Sequence, residues 1–508
     1  MSGRKLRLLG LGMVATAGAG VLGLSAMMNS AYAHADDSDI GLVMGGSGVP
    51  IPGPQYVAAA DGLYLNNPGT GLYPDLTFYQ ATGTTGLAQF GNGLFTPEGL
   101  YPLTGVHTLP LNYPLDANGL PDLSTSVGQG ATILASTING NTAVGDTSTV
   151  FGYSQSSTLS GITMQMLDPS GTPQTGPDAP QFLLIADPSA PNGGLLERFN
   201  GFETLAGHTT VDPLSLPSLG LSFDGATPSN DFVTNMYSLE YDGFTDFPRY
   251  PANFLSDLNA FLGIETLHGT YLNGGVMGSG PTAEQIANAI LLPGSAAGTA
   301  DSLTNYHMIL ETAPLVSLLP TSLQELLGPD LTYLINLGYG DGTLGYSATV
   351  DSPANVATPF GLSPVSPTTM FDNLVTDTQQ GIQNLMTNTD PYAASATASA
   401  SAGADAATAI PAATPTFTDI ANAFSSALST AYSVFLPLQD ISNALATSVP
   451  AYDLSLFTDN LATGDLTDAF GLPIAANTAL DTLAAGFATE VITSAASQIA
   501  ADFSAIGF

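Results

Sequence analysis

Cysteine and tryptophan are both absent from the 508 residues. The chain therefore has no disulfide framework and no thiolate metal site, and its fold must close on an apolar core alone, which a chain of this length can do. Bases are nearly as scarce: five lysines and arginines stand against 42 acids, for a net charge of −37. Arg4, Lys5 and Arg7 lie at the start of the chain, so only Arg198 and Arg249 remain beyond it. Such a chain cannot neutralise a run of phosphates, which excludes nucleic-acid binding. Electrostatic adhesion to anionic lipid is excluded on the same ground, so any lipid contact must be apolar. Acids are not unusually dense, because charged residues make up 9% of the chain against roughly 25% in a typical protein. The missing bases are replaced by neutral Ser, Thr, Asn and Gly. Histidine is limited to His34, His107, His208, His268 and His307. None of them forms a pair at ligand spacing, so no metal and no organic cofactor is expected. Beyond residue 28 no apolar run reaches the ~18 residues that a membrane-spanning helix needs.

What is present begins with an address. The three N-terminal bases precede an uncharged apolar run over residues 8–28, followed by Ala31-Tyr32-Ala33. This is the order of a secretory signal: basic region, apolar region, small-x-small cleavage site. The Gly and Ala content of the run favours cleavage after Ala33 over a retained anchor. The expectation is a secreted or cell-envelope protein with signal 1–33 and no transmembrane segment after cleavage.

Residues 36–365 read as one α/β unit. Residues 39–44 form a short apolar run ending in Gly45-Gly46-Ser47-Gly48, a strand entering a glycine loop. Residues 132–138 suggest a helix, 181–186 a buried strand, 233–241 another strand, and 251–262 a helix opened by proline. Strands alternating with helices predict a mainly parallel sheet covered on both faces. The stretch 280–365 carries no clear pattern. Residues 366–415 read as a linker, with Ala/Ser/Thr-rich low complexity over 390–415. Residues 416–508 read as a helical, Ala-rich region whose apolar spacing suits packing, or an apolar contact with lipid or another protein.

The strongest chemical signal is Thr147-Ser148-Thr149-Val150-Phe151-Gly152-Tyr153-Ser154-Gln155-Ser156, a β-rich run entering Gly-x-Ser-x-Ser, with a helix-like segment after it. A strand turning sharply into a helix at serine exposes a nucleophilic hydroxyl, and small residues on either side permit the turn. The pentapeptide alone is weak in a chain with 56 glycines; the flanking strand and helix carry the assignment. A serine nucleophile needs a histidine base and an orienting acid, in the chain order Ser, acid, His for this class. His34 and His107 precede Ser154, and His208 reads as a surface loop. His268, in the loop after the 251–262 helix, is the preferred base over His307. The acid should follow the 233–241 strand. Asp246 in the loop is preferred to Asp242, whose neighbouring Gly243 suits a turn role; Arg249 should pair with the aspartate that is not engaged. The oxyanion donors are expected to be the amide of Gln155 and one from the glycine loop at Gly46 or Ser47. Gly345-Tyr346-Ser347 is a decoy, with no histidine after it.

Several separated segments resemble the mycobacterial PE-PPE domain: the glycine loop 43–52, residues 96–105, Gly152 to Ser156, residues 241–251, and His268-Gly269-Thr270-Tyr271. That family is a serine α/β-hydrolase group related to cutinases and esterases. The resemblance covers roughly residues 40–365 and implies a cutinase-like α/β-hydrolase fold, with Ser154 and His268 in catalysis and the acid at Asp246. The PE or PPE helical module usual in the family is replaced here by a signal sequence, and the disulfides of cutinases are missing. Three readings follow. One is a secreted serine ester hydrolase acting on acyl esters of the cell envelope through an acyl-enzyme. The second is an acyltransferase passing the acyl group to a sugar or lipid hydroxyl, as some relatives of the domain do. The third is a non-catalytic envelope protein.

Overall fold

The computed structural model describes residues 39–47, 49, 52–67, 69–70, 88–89, 126–199, 214–219, 221–223, 225–272, 280–296, 302–348, 358–359, 361, 363–387, 389 and 416–505. The signal 1–33, the low-complexity run 390–415, and His34, His107 and His208 lie outside the described residues.

A seven-stranded sheet forms the centre, in the order β2-β1-β3-β4-β7-β9-β8. Its strands are β1 (Asp39–Val43), β2 (Ala88–Gln89), β3 (Thr147–Tyr153), β4 (Gln181–Ile185), β7 (Thr234–Leu239), β8 (Ile290–Leu291) and β9 (Thr304–Ile309). All neighbours pair in parallel except β8, which runs antiparallel to β9 at the edge. A separate hairpin joins β5 (Ser215–Leu216) to β6 (Leu221–Ser222). The central strands are buried along their length and not on alternate residues, as a sheet covered on both faces requires.

Alternate side chains of each strand serve the two faces. Leu42, Val150, Phe182, Leu184 and Met236 pack under α2 (Ser126–Val144) and α3 (Gln155–Leu167). Val43, Phe151, Leu183, Ile185 and Tyr237 pack on the other side with Tyr64 and Leu65, which follow α1 (Pro54–Ala60), and with Tyr271. The fold is therefore an α/β-hydrolase type with a mainly parallel sheet.

The helix expected over 251–262 is α4 (Phe254–Thr266). Pro251 does not open it; Asn253 caps it by accepting from the Ser256 amide. Nor does it close the strand–helix series, because β9 adds a further parallel strand from the stretch that carried no clear pattern. Beyond β9 comes α5 (Thr321–Asn336), with Pro329 inside it, a residue that ordinarily signals a helix break. The linker expectation for 366–415 is corrected at its start. Residues Pro367–Thr387 form α6, packed on α5 through Gly381, where a Cβ would stand 2.0 Å from the Leu326 carbonyl oxygen.

The C-terminal helices are α7 (Phe417–Ser433), α8 (Phe435–Asn443), α9 (Val449–Thr463) and α10 (Leu466–Ser504). Tyr452, Leu456, Leu472, Ala475, Ala476, Ala479, Leu480 and Leu483 share one core with Phe261 and Ile264 of α4 and with Phe199 and Phe223. Each fully buried large apolar side chain there contributes roughly 1.5–3 kcal/mol. Among the described residues no helix is long and apolar enough to cross a membrane.

Candidate active site

The sheet order creates the site. From β1 the chain runs outward to β2 on one side and returns as β3 on the other, so the loops leaving β1 and β3 part at the carboxyl ends of the strands. A crevice at such a switch point is where open α/β sheets place their ligands. The loop after β1 holds Gly45, Gly46 and Ser47; the turn after β3 holds Ser154.

Ser154 has φ 56° and ψ −118°, a backbone conformation that L residues rarely adopt. The turn is held from both flanks. Gly152 is needed because a Cβ there would meet the Ser156 carbonyl oxygen at 2.9 Å and Leu184 Cδ2 at 3.0 Å. Ser156, fully buried, accepts from the Tyr153 amide at 2.7 Å and can donate to the Tyr153 carbonyl at 3.0 Å. Its hydroxyl staples the turn, a contribution the sequence pattern alone had reduced to small size. The Ser154 amide donates to the Ile185 carbonyl at 3.0 Å, tying the turn to β4.

His268 lies just past α4 and reaches Ser154: its Nε2 is 2.7 Å from Ser154 Oγ. Its Nδ1 faces Asp242, 2.8 Å from Oδ2 and 3.1 Å from Oδ1. Phe244 packs edge-on against the imidazole, with ring centroids 4.6 Å apart, and the Tyr153 phenol donates to the His268 carbonyl. Asp242 is fully buried, and its carboxylate also accepts from the Phe244 amide at 3.1 Å and the Tyr271 phenol at 2.8 Å.

The expectation that Asp246 would face the histidine is corrected. Its carboxyl accepts from the Tyr241 amide at 2.8 Å, and the residue lines a small pocket with Ser238, Thr245 and His307. Burial pushes its pKa well above the usual carboxylate range, although the field of Arg198, not of Arg249, acts in the opposite direction. The backbone explains the exchange. Tyr241 has φ 68° and turns the chain directly after β7. The turn then sits on α4 so closely that a Cβ on Gly263 would lie 1.8 Å from the Tyr241 carbonyl oxygen. Asp242 is thereby aimed across the loop at His268. The Asp-Gly turn role and the imidazole contact fall on the same carboxylate.

Gly46 approaches the nucleophile turn, where a Cβ would stand 3.1 Å from the Tyr153 carbonyl oxygen and 3.3 Å from Ser154 Cβ. Ser47 Oγ donates to Gln155 Oε1 at 2.9 Å, joining the glycine loop to the first residue of α3. The first amides of a helix have no intrahelical acceptor and lie at the positive end of its dipole. His307 is elsewhere, on β9, stacked on Tyr237 at 4.4 Å with its pKa pushed down to about 4 by burial. Ser347 of the decoy is a buried lining residue of the same small pocket as Asp246. Among the described residues no group of His, Asp and Glu could hold a metal ion.

Ser–His–carboxylate geometry of this kind moves a proton from serine to imidazole while the carboxylate stays ionised. The PE-PPE domain matches residues 89–340, a stretch that contains Ser154, Asp242 and His268. The uncharacterized PPE family protein PPE28 of Mycobacterium tuberculosis (strain ATCC 25618 / H37Rv) is 38% identical over 514 residues, covering 96% of this chain and 70% of that protein. Esterase PE16 of the same strain is 37% identical over 281 residues, 54% of this chain and 45% of that one. PE family protein PE3, also of that strain, is 34% identical over 383 residues, 70% of this chain and 67% of its own. No solved structure matches.

Proposed function

Since this chain belongs to the PE-PPE domain family, we propose that it is a serine ester hydrolase that cleaves acyl esters through a covalent acyl-serine. The observation that carries this reading is the unbroken contact from Ser154 Oγ through His268 to Asp242, at 2.7 and 2.8 Å. A relative named as an esterase supports it.

Ser154 Oγ attacks the ester carbonyl carbon as its proton passes to His268 Nε2. Asp242 stays ionised, holds the imidazole with Nδ1–H toward it, and stabilises the imidazolium. The amide of Gln155 and one from Gly46 or Ser47 take up the charge on the carbonyl oxygen. The carbon–oxygen bond to the leaving alcohol then breaks, and His268 returns the proton to that alcohol. In the second half a water gives its proton to His268 and attacks the acyl carbon. Ser154 leaves with the proton, and the acid product is released. The acidic, base-poor chain suits uncharged acyl esters over anionic ones. With residues 1–33 read as a secretory leader it would belong to the secreted or envelope fraction, with residues 36–365 as the hydrolase unit.

The test uses the full chain without residues 1–33, as wild type and as Ser154→Ala, on p-nitrophenyl esters of increasing acyl length with a fluorophosphonate probe in parallel. Turnover and labelling that both vanish in the variant are expected. Labelling without turnover, relieved by an added sugar or lipid alcohol, would replace hydrolysis by acyl transfer. Neither signal in a folded wild type would overturn the reading.

A further inference from the structure

Tyr271 stands behind the triad, and on the hydrolase reading it has a role that none of the steps above assigns. We infer that Tyr271 is a positioning residue, whose phenol holds the Asp242 carboxylate in line with His268 and moderates the basicity passed to the imidazole.

The hydrogen bonding leaves its hydroxyl little choice. Tyr271 Oη accepts from the Leu239 amide at 2.8 Å, which fixes the oxygen to the end of β7. Its own proton then points to Asp242 Oδ2, also at 2.8 Å. That same carboxylate oxygen faces His268 Nδ1. Two donors converging on one oxygen fix the direction of its lone pairs, which is what a base-orienting carboxylate requires. The side chain is fully buried. Burial first, and then the charge of Asp242, raise the phenol's pKa well above its ordinary value, so it remains a donor at every working pH.

Removing the hydroxyl also takes the acceptor from the Leu239 amide, but the loop keeps two other holds. The Tyr271 ring packs 5.7 Å from that of Tyr153, and the Tyr64 phenol donates to the Tyr271 carbonyl at 3.0 Å. Both contacts survive in Tyr271→Phe. The titratable groups around the pair are Tyr64, Tyr153 and Asp246, with Glu240 acting on Asp246 and Glu311 on Tyr64. The phenols are raised well above their ordinary range and Asp246 is held toward its protonated form. Burial also raises Glu240 and Glu311 to about 7, so the difference between variants, and not the absolute profile, is the informative quantity.

A hydrogen bond donated to a carboxylate lowers its proton affinity. Its loss leaves Asp242 more basic and the imidazolium better stabilised, so the pH at which His268 becomes a free base rises. The experiment measures kcat, KM and the pH profile of kcat/KM on p-nitrophenyl butyrate, per fluorophosphonate-titrated site. Alongside it, the His268 imidazole is titrated by NMR, its signal assigned with His268→Gln. For Tyr271→Phe we expect kcat to fall roughly tenfold with KM within about twofold, and the acid limb and imidazole titration to move up by about half to one pH unit. Tyr64→Phe, which loosens the same loop without touching Asp242, should leave both in place. Introducing 3,5-difluorotyrosine at position 271 keeps the shape and strengthens the donor, so it should move both down.

An unmoved limb and titration in Tyr271→Phe, an equal shift in Tyr64→Phe, or no downward shift with the fluorinated residue would each overturn the proposal. Should Tyr271→Phe fail to fold, the fluorinated protein decides alone. A wild type inert toward esters would remove the hydrolase reading, while the NMR titration would still decide the role of Tyr271.

Discussion

Replacing Asp242 by Asn should nearly abolish turnover, whereas the same change at Asp246, on the same turn, should leave it almost intact. At Asp242 the carboxylate accepts from His268, Tyr271 and the Phe244 amide. An amide supplies one acceptor and one donor group, so whichever way it points a donor meets a donor. The imidazole then favours the other tautomer, with Nε2–H toward Ser154 Oγ, and cannot take the serine proton. Loss of the acid in this arrangement costs about ten-thousandfold in kcat, or about 5 kcal/mol of transition-state stabilisation. At Asp246 the carboxyl accepts from the Tyr241 amide, and the Asn oxygen can do the same. Because burial already holds that acid toward its neutral form, little charge is lost. The change in kcat should stay within about threefold, under about 0.7 kcal/mol. The assay is hydrolysis of p-nitrophenyl butyrate at pH 8, with sites counted by fluorophosphonate and folding followed by circular dichroism. A folded Asp246→Asn that loses more than about a hundredfold, or an Asp242→Asn that keeps more than about a tenth, would refute the assignment of the acid.

Gly46→Ala should lower kcat by about ten- to a hundredfold with little change in Tm, since its methyl would press on Tyr153 and Ser154 and displace a loop donor; unchanged kinetics would remove that loop from the oxyanion site. Ser156→Ala should cost about 1–3 kcal/mol, because the buried Tyr153 amide loses its acceptor, and urea unfolding measures this; a neutral result would show that size alone is needed there. Stability should fall as pH rises. Burial lifts Glu240 and Glu311 to about 7 and Asp187 to about 6. Groups with raised folded pKa values contribute stability below their unfolded values near 4, and it is lost as pH climbs through 6 to 7. Tm measured from pH 5 to 8 should therefore decline, with a shallower slope in Glu240→Gln. A Tm that rises across that window would contradict the burial of these acids.

The central sheet is legible in the sequence because its strands are short apolar runs with turn residues at their ends, as in residues 181–186. Ser154 and His268 stand out for a related reason: a strand-to-helix turn on small residues, and very few histidines to choose from. The acid was not separable. Asp242 and Asp246 sit on one loop, and what distinguishes them is the positive φ of Tyr241 and the contact of that turn with Gly263, neither of which has a local sequence signature. β9 escaped because Asn305 and His307 interrupt its apolar pattern, although both lie in the sheet. Helix α5 was hidden by Pro329. In α6 the apolar side chains Phe371, Val375, Ile382 and Met386 face outward, so its packing face is marked only by Gly381 and Asn384. The tyrosines around the triad were equally silent, because a phenol that supports a carboxylate looks like any other core aromatic.

Helix α4 has no slack. On one side Gly263 and Ala260 lie against the turn that bears Asp242 and Gly243, with no room for a methyl group. On the other, Phe261 and Ile264 are seated among the side chains of α10, with Gly486 admitting the Phe261 ring. Close-packed interiors transmit displacement and do not absorb it, so α4 behaves as a rigid lever with the long C-terminal helix at one end and the acid–base pair at the other. A displacement of α10 is therefore expected to reach His268 and Asp242 through α4. On the hydrolase reading it would lower turnover while the helices themselves remain formed.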